Sequence, residues 1–102
     1  MISIFCNRVE FYSQNDEASF FDFVGRIDAV DSIAGMGDTI HLHVVDQPSE
    51  ESLRDLLALF HRYRLPKMTQ LSQFKNRKNQ KWFTDTDAYW HKKVFPVKSK
   101  NA

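Results

Sequence analysis

From Asp38 to Val45 the chain reads Asp-Thr-Ile-His-Leu-His-Val-Val, so that Ile40, Leu42 and Val44 alternate with His41 and His43. A period of two places the aliphatic side chains on one face of an extended strand and the imidazoles on the other. Such a strand has an apolar face to bury and two edges to pair, and it is not stable alone. The rest of the chain must therefore supply neighbouring strands and an apolar cover. No other segment restricts the fold as much.

Two other segments read as strands, and the second is the hairpin neighbour of this one. Residues 2–12, Ile-Ser-Ile-Phe-Cys-Asn-Arg-Val-Glu-Phe-Tyr, are rich in the β-branched and aromatic residues that suit a pleated surface. Ile2, Ile4 and Cys6 alternate; Val9 and Phe11 do so one residue out of phase, which predicts a bulge or a break at Cys6-Asn7-Arg8. Ala29 to Ala34 is the second, joined to a strand over Thr39 to Val45 by the turn Gly35-Met36-Gly37-Asp38, whose glycines permit positive φ. A competing reading runs the preceding helix on to Ala34 with Gly35 just beyond its end. The unmet pairing of the 39–45 strand favours the hairpin.

Helical periodicity fills the remainder. Phe20, Val24 and Ile27, broadened by Phe21 and Phe23, predict a helix over about 15–28 after the polar run Ser13-Gln14-Asn15-Asp16-Glu17. Pro48-Ser49-Glu50-Glu51 opens a second helix with acids where the helix dipole favours them. Leu53, Leu56, Leu57 and Phe60 form its stripe, Arg62 and Arg64 lie at its end, and Pro66 stops it. Met68, Leu71 and Phe74 predict a third helix over 68–81. Thr84-Asp85-Thr86-Asp87 resembles a capping box opening a fourth, short helix to about Val94. The expected fold is α+β, a two-layer sandwich with a small three-stranded sheet in the order β-α-β-β-α and a helical basic C-terminal extension. Residues 1–102 form one domain, with 96–102 a frayed basic tail.

Composition agrees with a single modest core. Hydrophobic residues make up 42% and aromatic residues 14%, with nine Phe, which argues against disorder. A lone cysteine, Cys6, rules out an intrachain disulfide and favours a reducing compartment. The N-terminus has no basic region, and Arg8 and Glu10 interrupt any apolar stretch, so it does not read as a signal peptide. The longest apolar run, Leu56 to Phe60, is far short of the roughly 20 residues that span a bilayer. The expectation is a cytoplasmic protein without a membrane partner.

Charge is the oddity. Residues 1–60 carry three basic and eleven acidic side chains, a net of −8; residues 61–102 carry eleven basic and two acidic, a net of +9; the chain as a whole has +1. Such segregation points to a polyanionic partner or to pairing between the halves.

Signals for chemistry are sparse. His41 and His43 share a strand face, as two metal ligands must, but nothing fixes His61, His91, Cys6 or Asp46 beside them as a third. Cys6 lies in an apolar run and reads as a small buried hydrophobe, not a nucleophile. Gly35-Met36-Gly37 lacks the spacing and the Lys-Ser/Thr pair of a phosphate loop. No catalytic residue, metal or cofactor is assigned. The basic half interleaves Arg62, Arg64, Lys67, Lys75, Arg77, Lys78, Lys81, Lys92 and Lys93 with Tyr63, Phe74, Trp82, Phe83, Tyr89 and Trp90. That mixture suits single-stranded nucleic acid, where cations follow phosphates and rings stack on bases. Alternatively the aromatics glue the extension to the sheet and leave a basic face for an acidic protein surface. The absence of any base-reading motif favours the second. The expected function is a non-catalytic protein-binding module, in its most concrete form a small bacterial inhibitor or immunity-type protein that neutralises a toxin or enzyme partner. Its partner-binding residues are Arg62, Arg64, Lys75, Arg77, Lys78, Lys81, Lys92 and Lys93, with Lys75, Lys78 and Lys81 on one helix face. An RNA- or single-stranded-DNA-binding protein is the alternative, and an enzyme with an unrecognised site the third reading.

Overall fold

The structure is a computed structural model that describes residues 1–96. Strands β1 (Ile2–Asn7), β2 (Val30–Met36) and β3 (Thr39–Val44) form an antiparallel sheet in the order β1-β3-β2. The strictly alternating segment is thus the central strand, paired on both edges. Ile4 lies opposite Leu42 and Cys6 opposite Ile40. Ile4, Cys6, Leu42 and Val44 are buried on this face. Phe5 and His41 oppose each other on the other face, where their rings meet edge to face at 4.6 Å. The α+β class and the β-α-β-β-α order with further C-terminal helices are as the sequence implies.

The phase slip in the first segment is a break. β1 ends at Asn7, and Arg8 adopts a left-handed φ of 50° and donates its N–H to the Asp38 carbonyl at 3.1 Å. Val9 and Phe11 pack on the core without joining the sheet. The hairpin loop is tighter than four residues: Gly35 lies inside β2 opposite Ile40, and Gly37-Asp38 alone make the turn. Gly37 has φ 63°, the positive value required at the first loop position of a tight hairpin.

Helix α1 (Gln14–Gly25) starts behind Ser13, whose hydroxyl accepts the Asp16 N–H at 3.0 Å. It ends three residues short of the expected 28. Gly25 is a poor helix former, and successive turns from Val24 through Ile27 lead directly into β2. Helix α2 (Glu50–Arg62) is capped by Ser49 and buries Leu53, Leu56, Leu57, Leu59 and Phe60. Leu59 widens the stripe beyond the four residues expected. Ser52, also buried, accepts the Ala29 N–H at 3.2 Å and ties α2 to the start of β2.

The C-terminal region departs most from expectation. The helix expected over 68–81 is a 3-10 helix, Met68–Phe74, followed by a break and a short α3, Gln80–Phe83. Two asparagines cause the break. The Asn76 side chain accepts the N–H groups of Lys78 and Asn79, while Asn79 accepts the Asn76 N–H and donates to the Phe74 carbonyl. This is a reciprocal capping box, with Asn at the position usually held by Glu or Gln. Its local side-chain bonds outcompete the helix ladder. The box expected at Thr84 does not open a helix. Asp85 accepts the Asp87 N–H in a side-chain turn, and α4 is only His91–Val94. The frayed tail expected over 96–102 lies, from residue 97 on, outside the described residues.

Two contacts fasten this region. The Gln70 amide donates to the Phe5 carbonyl and accepts the Phe5 N–H, each at 2.8 Å, across 65 residues of chain. It thereby occupies the outer edge of β1 as a neighbouring strand would. Trp90, 6% exposed, donates its indole N–H to the Phe83 carbonyl at 2.8 Å. Trp82 is half-buried, with the Arg54 guanidinium over its ring at 4.2 Å. Trp90→Ala is expected to cost about 3–5 kcal/mol and Trp82→Ala clearly less, in urea denaturation. Gln70→Ala, at a partly solvated edge, should cost about 1 kcal/mol. Equal losses for the two tryptophans would contradict this anchoring.

Candidate functional site

All eight cations singled out in the sequence are exposed. They do not gather in one concavity. Arg62, Arg64 and Lys93 come together with His61 and Lys67 at the C-terminal end of α2. Lys78 lies instead beside Ser49 and Glu50 at the N-terminal end. Twelve helical steps, about 18 Å, separate the two ends. Lys75, Arg77 and Lys81 belong by chain position to the Lys78 group, and Lys92 precedes Lys93 on α4. The helix that was to align Lys75, Lys78 and Lys81 is interrupted at Asn76–Asn79, so their spacing of three no longer sets a common face.

The C-terminal end of α2 is the more distinctive group. A groove of about 720 Å³ is lined by His61, Arg62, Arg64, Lys67 and Lys93 over Leu65, Pro66 and Met68. Among the described residues no carboxylate lines it. A second concavity of about 530 Å³ adjoins it through Arg62 and Arg64 and adds Arg8, Tyr12 and Tyr63, with Glu10 and Asp16. Burial holds the Tyr63 phenol above its ordinary pKa; Asp16 adds to the rise and Arg62 opposes it.

Local backbone chemistry builds the groove. Leu65 donates its N–H to the Phe60 carbonyl at 2.9 Å, and Arg64 donates to His61 at 3.3 Å. With Arg64 left-handed at φ 52°, this is a Schellman stop, followed at once by Pro66. Lys67, at φ 60°, turns the chain into the 3-10 helix. The stop thus folds residues 61–69 into one concave wall, and Lys93 on α4 closes it. Part of the cation density has a structural cause, because His61 and Arg62 occupy the last turn of α2, where the dipole favours positive charge. That extends in part to Arg64, one residue past the cap, but not to Lys67 or Lys93.

No ion pair among the described residues joins the two charge halves. Among the described residues the ion pairs are Met1 amine–Asp46, Arg26–Asp22 and Arg54–Glu50, all within the acidic half. The aromatics interleaved with the basic residues are mostly occupied in packing. Phe74, Phe83 and Trp90 are buried, and Arg54 covers Trp82. Tyr89, 50% exposed, leans on His61 at 4.7 Å.

Sequence reasoning assigned neither His61 nor Arg8 to the site. A left-handed break at the end of β1 brings Arg8 near residues 62–64; the phase slip announces the break but not where it sends the Arg8 side chain. His41 and His43 stay on the outer sheet face, and no group of three potential metal ligands occurs among the described residues. Cys6 is fully buried, and burial pushes its thiol up to about 12. No helix among the described residues is long and apolar enough to cross a membrane. Comparison with family models, curated proteins and solved structures finds no match in any of the three.

The Cys6 environment makes a pH prediction. A raised folded-state pKa means that the folded protein holds this proton more tightly than the unfolded chain. Its contribution is complete below the unfolded value near 9 and is lost as pH rises towards 12. Over that window the folding equilibrium should fall by up to about tenfold per pH unit from this group. Cys6→Ala should lack that component when unfolding is measured from pH 8 to 11. A thiol reagent at pH 8 should label wild type only in denaturant.

Proposed function

We propose that the chain is a non-catalytic protein-binding module that docks an acidic surface of its partner in the cationic groove at the end of α2. One observation carries the reading: Arg62, Arg64, Lys67 and Lys93, with His61, converge on a concavity that no carboxylate lines among the described residues, whose ion pairs all lie elsewhere. Arg62 also faces acidic residues in the neighbouring concavities, with Glu10 and Asp16 on one side and Asp22, Glu51 and Asp55 on the other, but no direct ion pair among the described residues holds it. Clustered cations of this kind steer association and favour an anionic partner. The concrete form proposed is an inhibitor or immunity-type protein acting in the cytoplasm, which neutralises a toxin or enzyme by covering an acidic region. Protein is favoured over nucleic acid because Phe74, Phe83 and Trp90 are buried and Arg54 covers Trp82, which leaves Tyr89 as the one exposed ring of the basic region, and because apolar Leu65, Pro66 and Met68 line the groove among its cations.

Binding of fluorescent poly-L-glutamate tests the reading, with poly-uridylate of matched charge as the competitor. Wild type should bind poly-L-glutamate and weaken as salt rises. Arg62→Glu combined with Lys93→Glu should abolish most of that binding, chiefly through a slower association rate. Much tighter binding of poly-uridylate, lost in the same double variant, would transfer the groove to the nucleic-acid reading.

A further inference from the structure

The described chain has three non-glycine residues with left-handed backbone, Arg8, Arg64 and Lys67. All three are cations, although Lys and Arg supply only 14 of 102 residues. Asn and Asp tolerate this region best among residues with a β-carbon, and they occupy none of the three. All three also line the adjoining concavities that meet at Arg62 and Arg64. Local folding does not call for this. Glycine is the usual residue at the C′ position of a Schellman stop, where Arg64 stands. Residues kept in a disfavoured conformation cluster where function retains them.

We infer that Arg64 and Lys67 are the affinity-determining residues of the groove, held in left-handed conformation at the expense of stability because their charges contact carboxylates of the partner. This rests on the acidic-partner reading above and names the residues and the ligand chemistry. The left-handed turns set the two cations on either side of Leu65-Pro66, with Lys93 contributed by α4. The matching ligand is a segment with carboxylates flanking an apolar side chain. The Arg64 guanidinium can take a carboxylate in two parallel hydrogen bonds, whereas Lys67 acts as a point charge.

The inference separates two quantities that ordinary surface residues leave unlinked. Arg64→Gly removes both the conformational cost and the charge. It should raise Tm by about 3–6 °C and weaken poly-L-glutamate binding roughly fivefold or more. Arg64→Ala removes the charge alone and should lose the same affinity without the gain in Tm. Arg64→Lys keeps the charge and the cost, and should retain most of the affinity at an unchanged Tm. Lys67→Gly and Lys67→Ala should repeat the pattern. Wild-type binding that Arg64→Gly and Lys67→Gly leave intact would overturn this inference while the parent reading stands. So would a fall in Tm for both glycine variants. Failure of wild type to bind poly-L-glutamate at low salt would overturn the parent reading and the inference together.

Discussion

The structure depends on the burial of α2. Its apolar stripe is wide enough that one neighbour cannot cover it, so the helix needs apolar partners on two sides. One core cluster joins its stripe to Ile4, Leu42 and Val44 of the sheet, to Phe20 and Val24 of α1, and to Met68, Leu71, Phe74, Phe83 and Trp90 of the C-terminal region. At about 25 cal/mol per Å² of apolar surface removed from water, α2, with five of the twenty buried apolar residues among those described, contributes a large share of the core. The basic region is therefore part of the core, not an appendage to it. Its irregular path follows from that role. Short helical turns can bend to follow a curved apolar surface where one long helix could not.

The legible parts of the fold were those with strong periodicity. β3 and α2 each bury one face against the rest, and their patterns of two and of three to four survive in full. Caps were readable where a single Ser precedes a run of acids, as at Ser49. Legibility failed where polar side chains bond to nearby backbone. Asn76 and Asn79 look like ordinary surface residues in a helical pattern, yet together they cut a predicted helix in two. Thr84-Asp85-Thr86-Asp87 has the composition of a cap but closes on itself. In both places local hydrogen bonds compete with the helix on nearly equal terms, and spacing of apolar residues does not report which one wins.

For the candidate site, the sequence showed the abundance of cations but not their division. A linear count of charge merges residues that the fold sends to opposite ends of α2. Arg62, Arg64 and Lys93 are separated by up to 31 positions, and only the stop at Arg64 and the return of α4 bring them to one concavity. Lys75, Lys78 and Lys81 are close in sequence and lost their shared face with their helix. The left-handed conformation of Arg8, Arg64 and Lys67 is invisible to composition, because nothing in their identity favours it. That mismatch between residue type and backbone is what gives the groove its interest.

The two rims of the sheet are unequal. Gln70 blocks the middle of β1, whereas β2 is exposed along almost its whole length. A sheet with two open rims can accept strands indefinitely, which is how fibrils grow; one with a single open rim can be extended once and then terminates. A glutamine placed 65 residues away thus makes the two rims of the sheet unequal: on β1 the outward N–H and carbonyl of Phe5 are already paired within the chain.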